Sequence, residues 1–224
     1  VVMTISFLRE VELFSGLTDE EIHHLADLTT TRRFRRNSVI ILAEEEGEDF
    51  FLIREGQVKV SIVHEDGREI ILSFLGPGKV FGELSLLDGR PRSANVIALE
   101  QTELITLSRS HFIGLLHKHP HIATAMLAEL ASRLRNTDFQ ISDLALCNVT
   151  NRVSKTILRL VMDQGVETDE GILLKRRPTH QHLARMAGTT RETATRVISR
   201  LEKEGYIVCK GREILVLKET YEDL

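Results

Sequence analysis

The segment PTHQHLARMAGTTRETATRVISRLEKEGYI, residues 178–207, constrains the fold more strongly than any other part of the chain. Thr179 stands where it can cap a first short helix, Gly188 can adopt the left-handed turn that follows, and Thr190 can cap a second helix. The second helix continues to Glu204, and its inward face has apolar residues at helical spacing, namely Ala194, Val197, Ile198 and Leu201. This arrangement predicts a helix-turn-helix.

The outward face of the second helix is polar and mainly basic, with Arg191, Glu192, Thr195, Arg196 and Arg200. Arginine can bond O6 and N7 of guanine together, glutamate can accept a hydrogen bond from N4 of cytosine, and capping threonines beside exposed amides suit phosphates. We therefore predict a DNA-binding set that consists of Thr179, Gln181, Thr190, Arg191, Glu192, Thr193, Arg196 and Arg200. The alternative is a solvated basic helix in an ordinary helical hairpin.

Charge divides the chain into an acidic front and a basic back. Residues 1–150 contain 15 Lys and Arg against 22 Asp and Glu, whereas residues 151–224 contain 14 against 11. Between Lys175 and Arg212 there are ten basic residues and three acidic ones. This asymmetry indicates that the two parts of the chain have separate partners.

Residues 30–108 predict a small β-sandwich or barrel. The segment FFLIREGQVKVSIVHEDGREIILSFL alternates apolar and polar residues and is interrupted by turn signals at Glu55-Gly56 and Asp66-Gly67. Such a pattern is typical of consecutive antiparallel hairpins. The segment ANVIALEQTELITL adds two more short strands.

Helical patterns lie on both sides of the predicted strands. Residues 5–28 form the first, with Thr18 and Glu21 in a capping-box arrangement. A long helix has Pro120 in its first turn, and its apolar seam follows steps of three and four: Ala123, Leu127, Leu130, Leu134, Thr137, Ile141 and Leu144. This seam can pack on the barrel of its own chain or on a second subunit.

Three further elements follow the long helix. VSKTILRLVMD predicts an amphipathic helix with Asn148 as its cap, DQGVETDEG a polar loop, and YIVCKGREILVL a hairpin with Lys210-Gly211 at its turn. No apolar run approaches the eighteen or so residues needed to span a bilayer, and VVMTISFLRE has neither a basic start nor a small-residue cleavage site. We therefore expect a cytoplasmic protein with no membrane partner.

The segment FGELSLLDGRPRSA, residues 81–94, places an acid, an arginine and a hydroxyl within a stretch that is otherwise apolar enough to be buried. A buried arginine needs an anion. Arg92, the Ser93 hydroxyl and the amides around Ser93-Ala94 would make a compact site for one phosphate, while Glu83 could accept hydrogen bonds from a sugar hydroxyl. The alternative is an ion pair between Arg92 and Glu83 across a turn, and the residues alone leave both open.

Together these segments resemble the CRP–FNR family of bacterial transcription regulators nearly from end to end. The resemblance implies an α+β fold, with an N-terminal cyclic-nucleotide-binding jelly-roll β-barrel over residues 1–118, a dimerisation helix over 119–147 and a C-terminal winged helix-turn-helix over 148–224. It implies a regulator and not an enzyme. The expected partners are double-stranded DNA with inverted-repeat half-sites, a second copy of the chain in a homodimer, and RNA polymerase.

The resemblance also implies a cyclic-nucleotide site, with cAMP as the expected effector and no metal. Its ligand-binding residues are Gly82, Glu83, Leu84, Arg92, Ser93, Ala94, Thr137 and Asp138. The chain departs from the family pattern in two places, because the segment between Glu83 and Arg92 looks one residue shorter and Asp138 replaces a serine. A carboxylate could accept from an exocyclic amine or repel an anionic ligand, and the Thr137 hydroxyl does not separate adenine from guanine. The effectors cGMP and cyclic di-GMP therefore stay open.

Several competing functions also stay open. An iron–sulfur sensor of the same family is excluded, because it needs clustered N-terminal cysteines and the first 146 residues contain none. A haem sensor or a metal site could use the histidines His23, His24, His111, His117, His119 and His121. The HKHPH run at 117–121 is, however, more typical of exposed polar residues. A cyclic-nucleotide hydrolase would need metal ions or a positioned base. A family member that is active without any ligand would pair Arg92 with Glu83 internally.

Overall fold

The computed structural model describes residues 2–218, so residues 1 and 219–224 of the predicted terminal domains lie outside the described part. The chain divides into two compact units, one that ends at Arg135 and one that begins at Asn136. Helices and two sheets build the first unit, and helices with one small sheet build the second. The predicted α+β architecture is confirmed. None of the described helices is both long enough and apolar enough to cross a membrane.

The helices of the first unit are α1 (Val2–Glu10), α2 (Asp19–Leu28), α3 (Glu83–Asp88), α4 (Arg109–Lys118) and the first part of α5 (Pro120–Leu146). The helical pattern predicted over residues 5–28 is divided, because a 3₁₀ turn at Glu12–Phe14 separates α1 from α2. The predicted capping box is confirmed and explains why α2 begins after Thr18. Thr18 Oγ1 accepts from the Glu21 amide at 3.3 Å, and the Glu21 carboxylate accepts from the Thr18 amide at 2.9 Å.

The strands of the first unit form two antiparallel sheets of four strands. They are β1 (Thr30–Phe34), β2 (Val39–Ile41), β3 (Asp49–Glu55), β4 (Val58–Val63), β5 (Glu69–Leu75), β6 (Val80–Phe81), β7 (Asn95–Ala98) and β8 (Thr102–Ser108). The sheet orders are β1-β8-β3-β6 and β2-β7-β4-β5. Strands that follow each other in sequence therefore lie in opposite sheets at several points, as expected for a jelly roll.

One predicted hairpin forms and the other does not. β4 and β5 pair across the turn at Asp66-Gly67, where Gly67 has a φ of 83°. The hairpin predicted at Glu55-Gly56 is wrong, because β3 and β4 belong to different sheets. Gly56 has a φ of 89° and lies so close to Gln101 that a Cβ would stand 2.5 Å from its carbonyl oxygen. The chain changes sheets at this glycine.

The hydrophobic core of the first unit has two parts. Apolar residues from both sheets meet in the barrel interior, among them Phe51 and Leu104 of one sheet and Val58 and Val96 of the other. On the outside, α1, α2, α4 and the start of α5 pack against strands β3 and β8. Phe50 of β3 stacks on Phe112 of α4 with 4.4 Å between ring centroids. Burying each such side chain contributes about 1.5–3 kcal/mol, which fixes these helices to the barrel.

The second unit contains the rest of α5, then α6 (Val149–Gln164), β9 (Val166–Thr168), β10 (Gly171–Leu174), α7 (His180–Met186), α8 (Arg191–Lys203), β11 (Ile207–Lys210) and β12 (Glu213–Leu217). Its sheet has the order β11-β12-β10-β9. The predicted hairpin with Lys210-Gly211 at its turn is confirmed, and the Asn148 side chain caps α6 by accepting from the Asn151 amide at 3.0 Å. We call the β11–β12 hairpin the wing.

The prediction of a loop at DQGVETDEG is wrong, because Val166–Thr168 forms β9. All three side chains of β9 are exposed, so the strand lacks the apolar alternation that sequence patterns depend on. The Thr168 hydroxyl donates to the Gly171 carbonyl at 2.8 Å and accepts from its amide, which closes the turn into β10.

The long helix α5 begins at Pro120 as expected. Its seam residues Leu127, Leu134, Ile141 and Leu144 are 66%, 63%, 59% and 41% exposed. Leu130, in contrast, packs on the core of the first unit. The predicted seam therefore has two parts. Leu130 packs on the core of the first unit, whereas Leu127, Leu134 and Ile141, spaced by seven residues, stay exposed.

Candidate nucleotide site and nucleic-acid interface

The segment that follows β6 is shaped by two glycines. Gly82 has a φ of 82° and precedes α3, and Gly89 has a φ of 70° and ends it. Left-handed backbone at these points favours glycine. A Cβ on Gly82 would also lie 2.8 Å from the Arg92 Nη1 atom and 3.1 Å from the Asp49 carbonyl oxygen. The predicted residue Gly82 therefore lies directly against the predicted residue Arg92.

The Arg92 side chain is only 7% exposed and bonds to neutral oxygens. Its Nη1 donates to the Gly82 carbonyl at 2.6 Å and to the Ser85 hydroxyl at 2.9 Å, and its Nη2 donates to the Asp49 carbonyl at 2.7 Å. Burial lowers the pKa of Arg92, against the opposing effect of nearby carboxylates, of which Asp49 has the largest influence. Among the described residues no carboxylate forms an ion pair with this guanidinium, so an anionic ligand would offset its buried charge.

The loop before β3 holds the other side of Arg92. The Glu44 amide donates to the Arg92 carbonyl at 2.8 Å, and the Arg92 amide donates to the Glu45 carbonyl at 2.9 Å. Gly47 lies so close to the side chain that a Cβ would stand 1.9 Å from Arg92 Nε. This loop could not be recognised from the sequence, because nothing in its acidic composition indicates that its backbone holds an arginine.

Glu83 is 2% exposed and has one satisfied and one unsatisfied oxygen. Its Oε1 accepts from Arg133 Nη1 at 2.9 Å, and its buried Oε2 has no hydrogen-bond partner among the described residues. Arg133 also donates to the Val80 carbonyl at 2.6 Å and to the Glu129 carboxylate at 3.1 Å. The alternative of a direct Arg92–Glu83 pair is wrong. Arg133 could not be paired with Glu83 from the sequence, because the two residues are fifty positions apart.

The other predicted ligand residues differ in exposure. Leu84 is 44% exposed and Ser93 is exposed, whereas Ala94 is buried. Thr137 and Asp138 are exposed on α5 and belong to the second unit. Gly82, Glu83 and Arg92 are thus brought together in the first unit, and the part that Thr137 and Asp138 play stays a prediction.

The histidine run differs from expectation at one position. His119 is buried and its Nδ1 lies 3.7 Å from the Glu21 carboxylate, whereas His117 and His121 are exposed as predicted. His121 packs on Gly16, where a Cβ would stand 2.6 Å from the ring. Among residues 2–218 no three His, Cys, Asp or Glu side chains are arranged to hold a metal ion.

The helix-turn-helix has the predicted caps. The Thr179 hydroxyl accepts from the His182 amide at 3.2 Å, Gly188 has a φ of 60°, and the Thr190 hydroxyl accepts from the Thr193 amide at 3.3 Å. The inward residues of α8 are buried as expected: Ala194, Val197, Ile198 and Leu201. These contacts hold the inward face of α8 in the core of the second unit and leave its opposite face exposed.

The outward face of α8 exposes Arg191, Glu192, Arg196 and Arg200. The backbone N–H of Glu192, in the first turn of α8, lowers the pKa of the Glu192 carboxyl, which favours the ionised acceptor. Arg200 donates to the Glu204 carboxylate at 2.8 Å. The remaining members of the predicted set, Gln181 and Thr193, are half-buried.

Comparisons with known proteins agree with this organisation. Residues 31–119 match the cyclic nucleotide-binding domain family, and residues 151–220 match the Crp-like helix-turn-helix domain family. The cyclic AMP receptor protein of Thermus thermophilus is 37% identical over 212 residues, which cover 92% of this chain and 95% of that protein.

Two solved structures are similar to the chain as well. The catabolite activator protein of Thermus thermophilus is 34% identical, with 94% of this chain and 96% of that chain covered and a TM-score of 0.54. A variant of CooA from Carboxydothermus hydrogenoformans is 21% identical, with 95% and 94% covered and a TM-score of 0.80, and shows the fold alone.

The fold and the matched domains define a transcription regulator in which a cyclic-nucleotide-binding domain precedes a DNA-binding helix-turn-helix. The chain belongs to the CRP–FNR family. Its relatives are regulators and not enzymes, and the hydrolase alternative is therefore excluded.

Proposed function

We propose that this protein is a homodimeric, sequence-specific regulator whose DNA binding is controlled by cAMP. The observation that supports this most is the buried Arg92, which bonds to neutral oxygens beside a buried and unpaired oxygen of Glu83. A cyclic phosphate would supply the missing anion, and a ribose hydroxyl would supply a donor for Glu83. The name of the Thermus thermophilus relative favours cAMP among the cyclic nucleotides.

The uncovered row on α5 supports the homodimer. Leu127, Leu134 and Ile141 are each more than half exposed and are spaced by seven residues, which is the pattern of a two-helix seam. A second α5 around a twofold axis would bury this row and leave the two barrels outside. The boundaries 1–118, 119–147 and 148–224 are proposed for the sensor domain, the dimerisation helix and the DNA-binding domain.

The residue types on α8 support a specific kind of DNA site. If Arg191 and Arg196 each bond a guanine and Glu192 a cytosine, the resemblance to the CRP–FNR family implies a half-site of the TGTGA kind, arranged as an inverted repeat. The spacing known for other helix-turn-helix dimers puts the half-site centres about 34 Å, or roughly 10 base pairs, apart. Thr179, Gln181, Thr190, Thr193 and Arg200 are proposed for the surrounding phosphate contacts, and RNA polymerase is the proposed protein partner.

Isothermal titration calorimetry with cAMP, cGMP and cyclic di-GMP tests the effector. We expect cAMP to bind with the highest affinity and one site per chain. Glu83→Gln should weaken nucleotide binding. The substitution removes the carboxylate charge that pairs with Arg133, and the new amide N–H groups can donate toward the sugar hydroxyl instead of accepting from it. Preferential binding of cyclic di-GMP or cGMP would replace cAMP as effector, and no heat with any of the three would contradict nucleotide control.

A further inference from the structure

A chain of hydrogen bonds joins the wing to α8 through a histidine that the function above does not use. Arg177, which precedes α7, donates from Nε and Nη2 to the Gly211 carbonyl at the wing turn, at 3.3 and 3.2 Å. Its Nη1 lies 2.7 Å from His180 Nε2, and His180 Nδ1 lies 2.9 Å from Thr195 Oγ1. The Thr195 hydroxyl donates to the Arg191 carbonyl at 2.9 Å. We call this chain the wing relay.

The chemistry of the wing relay allows one protonation state of His180. A guanidinium can only donate, so Nε2 of the imidazole must accept from Arg177. The proton of the neutral ring is then on Nδ1, where it donates to Thr195, whose own proton is already directed at the Arg191 carbonyl. Every donor in the relay meets an acceptor in this tautomer, whereas a protonated ring would turn an N–H toward the Arg177 guanidinium.

The surroundings of His180 favour the neutral ring. The imidazole is half-buried, and burial lowers the pKa of His180. The charged groups that act on it are Arg177 from the segment before α7 and Arg191 from α8, and both lower the pKa further. Thr195 on α8 and the Gly211 carbonyl, reached through Arg177, contribute no charge.

We propose that neutral His180 is a positioning residue that sets the base-reading end of α8 relative to the wing turn, and that protonation of His180 uncouples the two and reduces sequence discrimination. The reason is geometric, because Arg191 sits in the first turn of α8 and its carbonyl is the last acceptor of the relay. A wing and a helix that hold one register meet the phosphates and the base edges together. This inference rests on the proposed DNA-reading role of α8.

Nitrogen-15 NMR of histidine-labelled full-length protein tests the relay without DNA or nucleotide, so its outcome is separate from that of the proposed function. The His180 signal is identified by its loss in His180→Gln. We expect the Nδ1–H tautomer at neutral pH and protonation below the ordinary value of about 6.5. The Nε2–H tautomer, or protonation above that value, would overturn the proposal.

DNA binding tests the predicted loss of sequence discrimination. Two duplexes are compared, one recovered by selection and one scrambled with the same composition. The affinity for each is measured by fluorescence anisotropy with the full-length protein at saturating cAMP. Between about pH 7.5 and the pH at which the NMR titration shows His180 protonated, we expect the ratio of the two affinities to fall roughly three- to tenfold, which is the loss expected for one hydrogen bond. His180→Gln, which keeps an acceptor for Arg177 and cannot be protonated there, should show a ratio independent of pH. His182→Gln on the same helix is the matched control and should retain the wild-type dependence.

For the wild type and His180→Gln, two results would contradict the proposal. One is His180→Gln with the pH dependence of the wild type, which would place the titrating group elsewhere. The other is an increase in affinity for both duplexes alike as the pH falls, which would make His180 a direct phosphate contact.

Thr195→Val keeps the branched side chain but removes the hydroxyl, and should lower the ratio at both pH values. This variant provides the decisive measurement if a His180 variant fails to fold, and an unchanged ratio would overturn the proposal.

Discussion

At the residue scale, the sensor site depends on the different partners of two buried charges. Glu83 is neutralised by Arg133, while Arg92 is held by backbone and hydroxyl oxygens alone among the described residues. A buried cation without a carboxylate costs free energy that an anionic ligand can offset. In the proposed site, Glu83 would accept from a sugar hydroxyl and a phosphate would neutralise Arg92.

Arg92→Leu is expected to abolish nucleotide binding while the protein stays folded. The leucine removes the buried charge, and the loss of a donor for three oxygens costs about 1–3 kcal/mol of stability. Calorimetry with the effector measures the binding, and circular dichroism checks the fold. Arg90→Leu is the matched control, because Arg90 is exposed two residues away, and it should bind like the wild type. Unchanged affinity in Arg92→Leu would disprove the proposed role of residues 81–94 in nucleotide binding.

Glu192→Ala is expected to relax preference at one base pair, with a loss of roughly 1–3 kcal/mol of discrimination, because an ionised acceptor for cytosine is removed. Thr190→Ala should weaken binding to all sequences alike and also remove the cap of α8, at about 1 kcal/mol of stability. Selection from randomised DNA compares the recovered motifs. If the motif from Glu192→Ala matches that of the wild type at every position, α8 does not read bases in the proposed way.

At the element scale, α5 should hold two chains together. Leu134→Glu would bring two like charges close to a twofold axis, so we expect monomers. Light scattering measures the mass, which should fall from twice the 25.4 kDa chain mass to that of one chain. Ser132→Glu adds the same charge at an exposed position off the seam and should leave the dimer intact. A dimer in both variants would mean that the interface lies elsewhere.

The junction of α5 with α6 is braced by Asp143, whose side chain is buried and bonds to Lys155 at 2.9 Å and to Arg159. Burial raises the pKa of Asp143, and the hydrogen bonds from Lys155 and Arg159 outweigh it, so the pKa lies below the ordinary value of 3.8. A lowered pKa contributes stability that is complete above the unfolded value and is lost as the pH falls through the folded value.

Asp143→Asn should therefore destabilise α6 by about 1–2 kcal/mol at neutral pH, and the difference from the wild type should shrink as the pH falls below about 4. Hydrogen exchange of the α6 amides measures both effects. Asp163→Asn, which removes an exposed charge near the end of the same helix, should change α6 by less than about 0.5 kcal/mol. A difference that is the same at neutral and acid pH would show that the ion pairs do not supply the stability.

The elements differ in how far the sequence predicts them. The caps at Thr18, Thr179 and Thr190 could be predicted because capping is a local interaction within four residues. The sheet change at Gly56 could not, since it depends on a close approach to Gln101. The same limit applies to the candidate nucleotide site, where Arg92 stands out in its own segment but its contacts with Gly47 and Asp49 come from a distant loop and from the start of β3.

At the scale of the whole molecule, α5 contributes residues to both compact units, since it extends from Pro120 to Leu146 across the boundary after Arg135. Arg133 connects the first part of α5 to Glu83, and Asp143 connects the last part to α6. A nucleotide that favours one arrangement of α5 would shift the population of DNA-binding states through these contacts. Regulation in this account is an equilibrium between arrangements, biased by the ligand.

The most direct test of this account is the affinity for the selected duplex as a function of cAMP concentration, measured by fluorescence anisotropy with the full-length protein. We predict that saturating cAMP tightens DNA binding by roughly 5- to 150-fold, and that the duplex tightens cAMP binding by the same factor, because coupling between two sites is reciprocal. Arg92→Leu should bind the duplex equally with and without cAMP. Wild-type protein whose affinity for the duplex is the same at zero and at saturating cAMP would contradict the account.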